Sequence, residues 1–206
     1  MTFSQRNLIV SPAQGLIVYC ADCGSFGEMQ FYTGIAWTNM IGGPTTPVLT
    51  VGLDYLGGKV AYILQPGDPG YVAGFVHGLI AAAADQSTSI LWDDETNVLT
   101  GANGTALGTG NANTNTIVAA QGTGNYAAKH CADLVLNGYS DWFLPSKDEL
   151  SKLYINRVAI GGFANALYWN STEFNTNAAW LHSFSDGSQS AGSKNIAARM
   201  RAIRTF

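Results

Sequence analysis

Apolar residues recur along this chain first at a period of two and later at a helical spacing. Between Gly15 and Trp37, "GLIVYCADCGSFGEMQFYTGIAW" sets two β-branched and aromatic runs around a Gly-containing turn, which predicts a β-hairpin. A lone hairpin is marginally stable, so it must pack on the main domain or on a partner chain. "GGPTTP", Gly42 to Pro47, has the turn chemistry of a linker. Beyond it, "GGKVAYILQPGDPGYVAG" predicts a strand closed by a Pro/Gly-rich turn. "HGLIAAAADQSTSILWDD" then predicts a buried strand, a loop and a strand around Trp92.

The Gly-, Asn- and Thr-rich stretch Thr100 to Gly124 predicts an ordered surface loop leading into a short helix. It contains no Gly-Lys-Ser/Thr, and a G-x-G without its third glycine is no phosphate loop. From Asn125 the spacing turns helical. Ala127, Ala128, Cys131, Leu134 and Val135 share one face, with Asn137-Gly138 as the stop. "DWFLP" predicts a short strand closed by Pro145. Ser146-Lys147-Asp148-Glu149 is a capping box that opens a helix running to about Asn156, and this explains both carboxylates without catalysis. In "AWLHSFSDG", strict alternation puts Trp180, His182 and Phe184 toward the core and Leu181, Ser183 and Ser185 toward solvent.

Composition narrows the class. In 206 residues, 47% hydrophobic and 11% aromatic content describe a globular chain, while only 12% is charged, so solubility rests on Asn, Thr, Ser and Gly. The net charge of −4 offers no footprint for nucleic acid, and no apolar run reaches the ~20 residues needed to span a bilayer. The N-terminus lacks a signal-peptide pattern. Cys20 and Cys23 form a lone C-x-x-C, read as unligated thiols or a local disulfide. Four zinc ligands are not available, and Cys131 reads as core. His77 and His130 have no partner at a useful spacing. No metal, cofactor or nucleophile–base pair is expected, and therefore no enzyme.

At "NGYSDWFLPSKDELSKLY" the chain resembles the Lcl C-terminal domain family, named from a collagen-like bacterial adhesin. "GGKVAYI", "HGLIAAAADQST" and the closing "YWNSTEF…AW…F…G…RMRAIRTF" support the resemblance over about residues 57 to 206. It implies an α+β protein with a C-type-lectin-like (formylglycine-generating-enzyme-like) domain at 48–206, after a hairpin and linker at 1–47. Neither the calcium-dependent sugar motifs nor a second reactive cysteine of those relatives is present. Gln65-Pro66 runs into Gly67, and Trp169-Asn170 into Ser171.

The resemblance further implies a variable protein of a diversity-generating retroelement. There, a reverse transcriptase errs at template adenines, and AAC codons become NNC codons. Such codons never encode Trp, Glu, Gln, Lys or Met, so Trp169, Glu173, Trp180, Gln189, Lys194 and Met200 are expected as fixed residues of a variable region at about 169–200. Phe184, Arg201 and Arg204 complete the expected scaffold. The expected ligand-binding surface is Leu181, Ser183, Ser185, Ser188, Ser190, Ala191, Gly192 and Ser193, backed by Thr176, Asn177 and Ala178. The partner would be a protein or glycan on another cell, the location a virion or cell surface, and the N-terminal segment a means of oligomerisation. A fixed glycan- or glycosaminoglycan-binding adhesin, using the basic C-terminal end with Lys194, Arg199, Arg201 and Arg204, is the alternative. The arginine forks also suit pinning of the last strand.

Overall fold

The computed structural model describes residues 1–23, 27–39, 49–73, 75–94 and 97–206, and it is mixed α+β with sheets predominating. The chain separates into two compact units, Met1–Thr50 and Val51–Phe206, against an expected boundary at 47/48. The linker expected at Gly42 to Pro47 lies outside the described residues.

The first unit is more than a hairpin. Strands β1 (Ile17–Cys20), β2 (Glu28–Tyr32) and β3 (Trp37–Asn39) form an antiparallel meander in that order. The third strand returns through a turn at Gly34, whose φ of 98° suits glycine, and Thr33 Oγ1 accepts the Ala36 N–H at 3.1 Å. A one-turn helix, α1 (Phe3–Asn7), precedes them. It is held by a Thr2–Gln5 capping box whose T-x-x-Q signature stood unused in the sequence. Cys20 and Cys23 are disulfide-bonded, which settles the two alternatives left for that pair.

The second unit carries two sheets. One has the order β12-β6-β5-β4, from β4 (Asp54–Tyr55), β5 (Gly58–Ile63), β6 (Gly78–Ala81) and β12 (Ile203–Thr205). The other has the order β10-β9-β8-β11-β7, from β7 (Ser87–Ile90), β8 (Leu167–Asn175), β9 (Ala178–Ser183), β10 (Gln189–Ser193) and β11 (Ala198–Met200). All pairs in it are antiparallel except β8 with β11. The core is shared by both sheets: Leu79 and Ile203 meet Leu150, Leu153, Tyr168 and Phe184.

Helices α2 (Gly110–Gln121), α3 (Ala127–Ala132), α4 (Lys147–Ile155) and α5 (Arg157–Ile160) fill the connections. α2 occupies much of the stretch read as a loop. α3 stops earlier than its apolar pattern predicts: Val135 is 73% exposed, and Leu134 also lies beyond the helix. Asn137 and Gly138, both at positive φ, do not cap that helix. They turn the chain between the bridged residues Leu136 and Tyr139, as a two-residue hairpin turn does. "DWFLP" contributes one bridge, Phe143 to Ile203, rather than a strand.

The capping box of α4 is a structural junction. Ser146 Oγ accepts the Glu149 N–H at 3.3 Å and donates to Ala106 O at 2.9 Å. The Glu149 carboxylate accepts from Ser146 N at 2.7 Å and from Gly108 N at 2.8 Å. Burial raises the Glu149 carboxyl above its ordinary range, and these N–H donors pull the other way. Gly110 makes room for it, since a Cβ there would meet Glu149 Oε2 and approach Leu144 O to 2.9 Å. Ser146→Ala should cost about 1–2 kcal/mol, the usual range for a lost N-cap, since the Ala106 carbonyl keeps the N–H and hydroxyl of Thr109 as donors. Urea denaturation at neutral pH would measure it.

Candidate functional site

The region from Trp169 to Met200 forms β8, β9, β10, β11 and their turns. In β8, Trp169 is fully buried and its indole N–H donates to Ile90 O at 3.0 Å. At the far end of the strand, Glu173 is buried and paired with the equally buried Lys194, Nζ to Oε1 at 2.6 Å. Glu173 also accepts the N–H groups of Thr100 and Gly101. Lys194 Nζ reaches Val98 O at 2.8 Å and lies 4.6 Å from the centroid of the Trp92 ring. Burial acts to raise the Glu173 carboxyl, but the Lys194 ammonium and the two backbone donors outweigh it and hold it below the ordinary range.

The alternation predicted for β9 is corrected in part. His182 and Phe184 are core, against Tyr154 of α4, but Leu181 is 2% exposed and Ser183 is also buried. The alternation describes a strand with one covered face; β9 is a central strand between β8 and β10, and residues on both of its faces are buried. On one face Leu181 sits opposite Trp169 and Ser190, and a Cβ added at Gly192 would lie 2.5 Å from Leu181 Cδ1. Gly192 therefore turns inward as well, toward a space already filled. Trp180, expected as core, is only half-buried. Its ring carries Lys147 Nζ at 3.5 Å from the centroid and meets Phe174 edge-on at 5.5 Å.

His182 has one ring nitrogen, Nδ1, 3.1 Å from Gln189 Nε2. Burial lowers its pKa, which keeps the ring neutral and makes it a packing residue.

The remaining candidates lie on the surface. Thr176 and Asn177 form the exposed β8–β9 turn, with Ala178 half-buried behind them. Ser185 and Ser188 flank Asp186, whose carboxylate accepts the N–H and hydroxyl of Ser188 at 3.0 and 2.8 Å. The Ser188 backbone donor and the hydroxyls of Ser183 and Ser188 lower the Asp186 carboxyl to about 2. That turn is therefore ordered above the usual carboxylate range and loosens only as pH falls through about 2. Ser190, Ala191 and Ser193 are exposed on β10. Two further surface residues, Phe174 at 53% and Ile196 at 39% exposure, escaped the reading, although both can be encoded by NNC.

The terminal arginines are scaffold. Arg201, fully buried, donates from Nε to Asp85 at 2.8 Å and from its two terminal nitrogens to Ala82 O and Gly162 O. Arg204 forks onto Asp141 at 2.7 and 2.8 Å and reaches Leu56 O. Arg199 is held by Asp85 at 2.9 Å. Cys131 is buried alone, and burial pushes its thiol up, away from nucleophilic use.

A family model, Lcl C-terminal domain, matches residues 81–204, more than half of the chain. The chain belongs to the Lcl C-terminal domain family. The matched segment begins at the last residue of β6 and contains the whole candidate surface with its buried supports. No curated protein matches the sequence. Among solved structures, a fimbrial protein from Bacteroides ovatus ATCC 8483 is similar over 93% of this chain and 48% of its own, at 16% identity and a TM-score of 0.46. The chain thus spans about half the length of that protein. No helix among the described residues is long and apolar enough to cross a membrane.

Proposed function

We propose that this Lcl C-terminal domain protein is a binding protein. A diversified surface, on a scaffold of the C-type-lectin-like kind, recognises a protein or glycan on another cell. One observation carries the proposal. Every exposed residue between Trp169 and Met200 is of a type that an NNC codon encodes, whereas the excluded types Trp169, Glu173, Lys194 and Met200 are buried, with Trp180 and Gln189 half-buried. Ordinary surfaces show the reverse for two of these types, since Lys and Glu belong outside. Here the stretch's Lys and Glu are locked together inside. A rigid support beneath replaceable side chains suits recognition, because a few anchors supply most of an interface's energy.

The glycosaminoglycan alternative has less support, because Arg201 and Arg204 are buried and committed to carboxylates. The diversified reading is tested by sequencing the locus across many members of the source population. Codons at Thr176, Ser185, Ser188, Ser190 and Ser193 should end in C and differ between isolates, beside an adenine-bearing near-copy and a reverse transcriptase gene. Those at Leu181, Ser183 and Gly192 should vary less. Invariant codons with no second copy would end the proposal.

A further inference from the structure

β10 is an edge strand, and its outer backbone is open. The ladder with β9 is bounded by Ser183 N to Ser188 O at 2.9 Å and Lys194 N to Asn177 O at 3.0 Å. Antiparallel pairing bonds every second residue, so Ser190 and Gly192 point both backbone groups at β9, with the Ser188 carbonyl and the Lys194 N–H closing the ladder at its ends. Gln189 and Ala191 then direct both N–H and C=O away from the sheet, and among the described residues no group takes them. The Ser193 N–H points the same way; its carbonyl is used by Ile196 N at 3.2 Å.

Edges of this kind are normally blunted by charge, proline, a bulge or a covering segment. The other edges of the second unit's two sheets are, among the described residues. β12 is bridged on its outer side by Phe143, β4 is two residues long, and β7 has a register break and a Ser89 N–H taken by Ser87 Oγ. β10, "QSAGS", carries none of these devices.

We propose that β10 receives an extended strand from a protein partner, paired antiparallel or parallel through Gln189 and Ala191. The occupant is defined by chemistry: free donors and acceptors alternating at strand spacing along an open edge are what an extended polypeptide backbone pairs with when it adds a strand. The inference rests on the diversified-surface reading and explains how such a surface keeps binding as it changes. Backbone pairing is the same whatever side chain stands at Ser190 or Ala191, so it supplies constant affinity. The partner's side chains meet Ala191 and Trp180 on one face and Ser190 on the other, where replaceable residues set specificity.

Ala191→Pro tests this directly. It deletes an outward N–H and fills the partner's path, yet it sits opposite Trp180 at a pair that needs no bond from Ala191 to β9. A phage-displayed library of random linear peptides is selected on the immobilised full chain, and the enriched peptides are titrated against variants. They should bind the unaltered chain and lose at least about tenfold on Ala191→Pro, while Ala191→Ser, which alters the contacting side chain but keeps the outward N–H, should lose clearly less than Ala191→Pro. Amide exchange on the unaltered chain gives an independent reading, since added peptide should slow Gln189 and Ala191. Equal binding to Ala191→Pro with no protection, or no enriched peptide, overturns the proposal. Self-association of the chain that Ala191→Pro abolishes also overturns it, in favour of pairing between copies. Ser188→Tyr separates the two readings. If it changes which peptides are selected while Ala191→Pro does not, strand addition fails and the variable surface stands; if neither matters, both fail.

Discussion

Replacing Lys194 with methionine should lower stability by about 3–5 kcal/mol, the usual cost of leaving one member of a buried ion pair without the other. Glu173 would keep its two backbone donors from Thr100 and Gly101 but lose the ammonium at 2.6 Å, in a site closed to water. The sign of the pH dependence makes the test sharp. In the native protein the Glu173 carboxyl is depressed, so its contribution is complete above the unfolded carboxyl value and is lost as pH falls through the lower folded value. Without Lys194, burial dominates and the carboxyl rises, so the variant is rescued by protonation. Urea denaturation should show the deficit at pH 7 shrinking toward about pH 4, near the ordinary Glu value. A deficit constant across that range would show that the pair contributes little beyond shape. Glu173→Gln in the Lys194→Met background should recover part of the loss at neutral pH, since the amide oxygen still accepts while no charge is stranded.

That pair also shows what could be read from the sequence and what could not. Codon logic marked Glu173 and Lys194 as fixed, but nothing in a spacing of 21 residues says that they touch; the β8–β10 arrangement brings them together. Local signals performed best. The Ser146 capping box names its own partners within four residues, and α4 begins where it should. Periodicity failed where neighbours decide. Leu181 and Ser183 alternate with aromatics as a half-exposed strand would, yet their strand is central, Trp169 stands beside Leu181, and both residues are buried. Asn137-Gly138 has one sequence signature and two uses, a helix stop and a hairpin turn, and the early end of α3 selected the second. The open edge of β10 carries no sequence mark at all, because being an edge is a property of the whole sheet order.

Removing Arg201 should be as costly as removing Lys194, by a different route. Its guanidinium joins three distant parts of the chain: Asp85 and Ala82 after β6, the Gly161-Gly162 turn before β8, and its own C-terminal segment. It also lies 4.0 Å over the Phe163 ring. In Arg201→Leu the buried carbonyl of Ala82 loses its donor at about 1–3 kcal/mol, the carbonyl of the exposed Gly162 loses less, and Asp85 is left to Arg199 and the Tyr168 hydroxyl. Non-additivity and that residual pairing limit the total to about 3–5 kcal/mol, or roughly 10 °C in melting temperature for a chain of this size. Arg201→Lys should recover only a minor part, because one ammonium cannot reach both a carboxylate and carbonyls on two other segments as a planar fork does. Calorimetry would read both variants. If Lys restores full stability, charge alone accounts for what Arg201 contributes, and the forked hydrogen bonds are incidental. If it does not, the guanidinium is the clamp that fixes the turn before β8, and with it the first strand of the candidate surface.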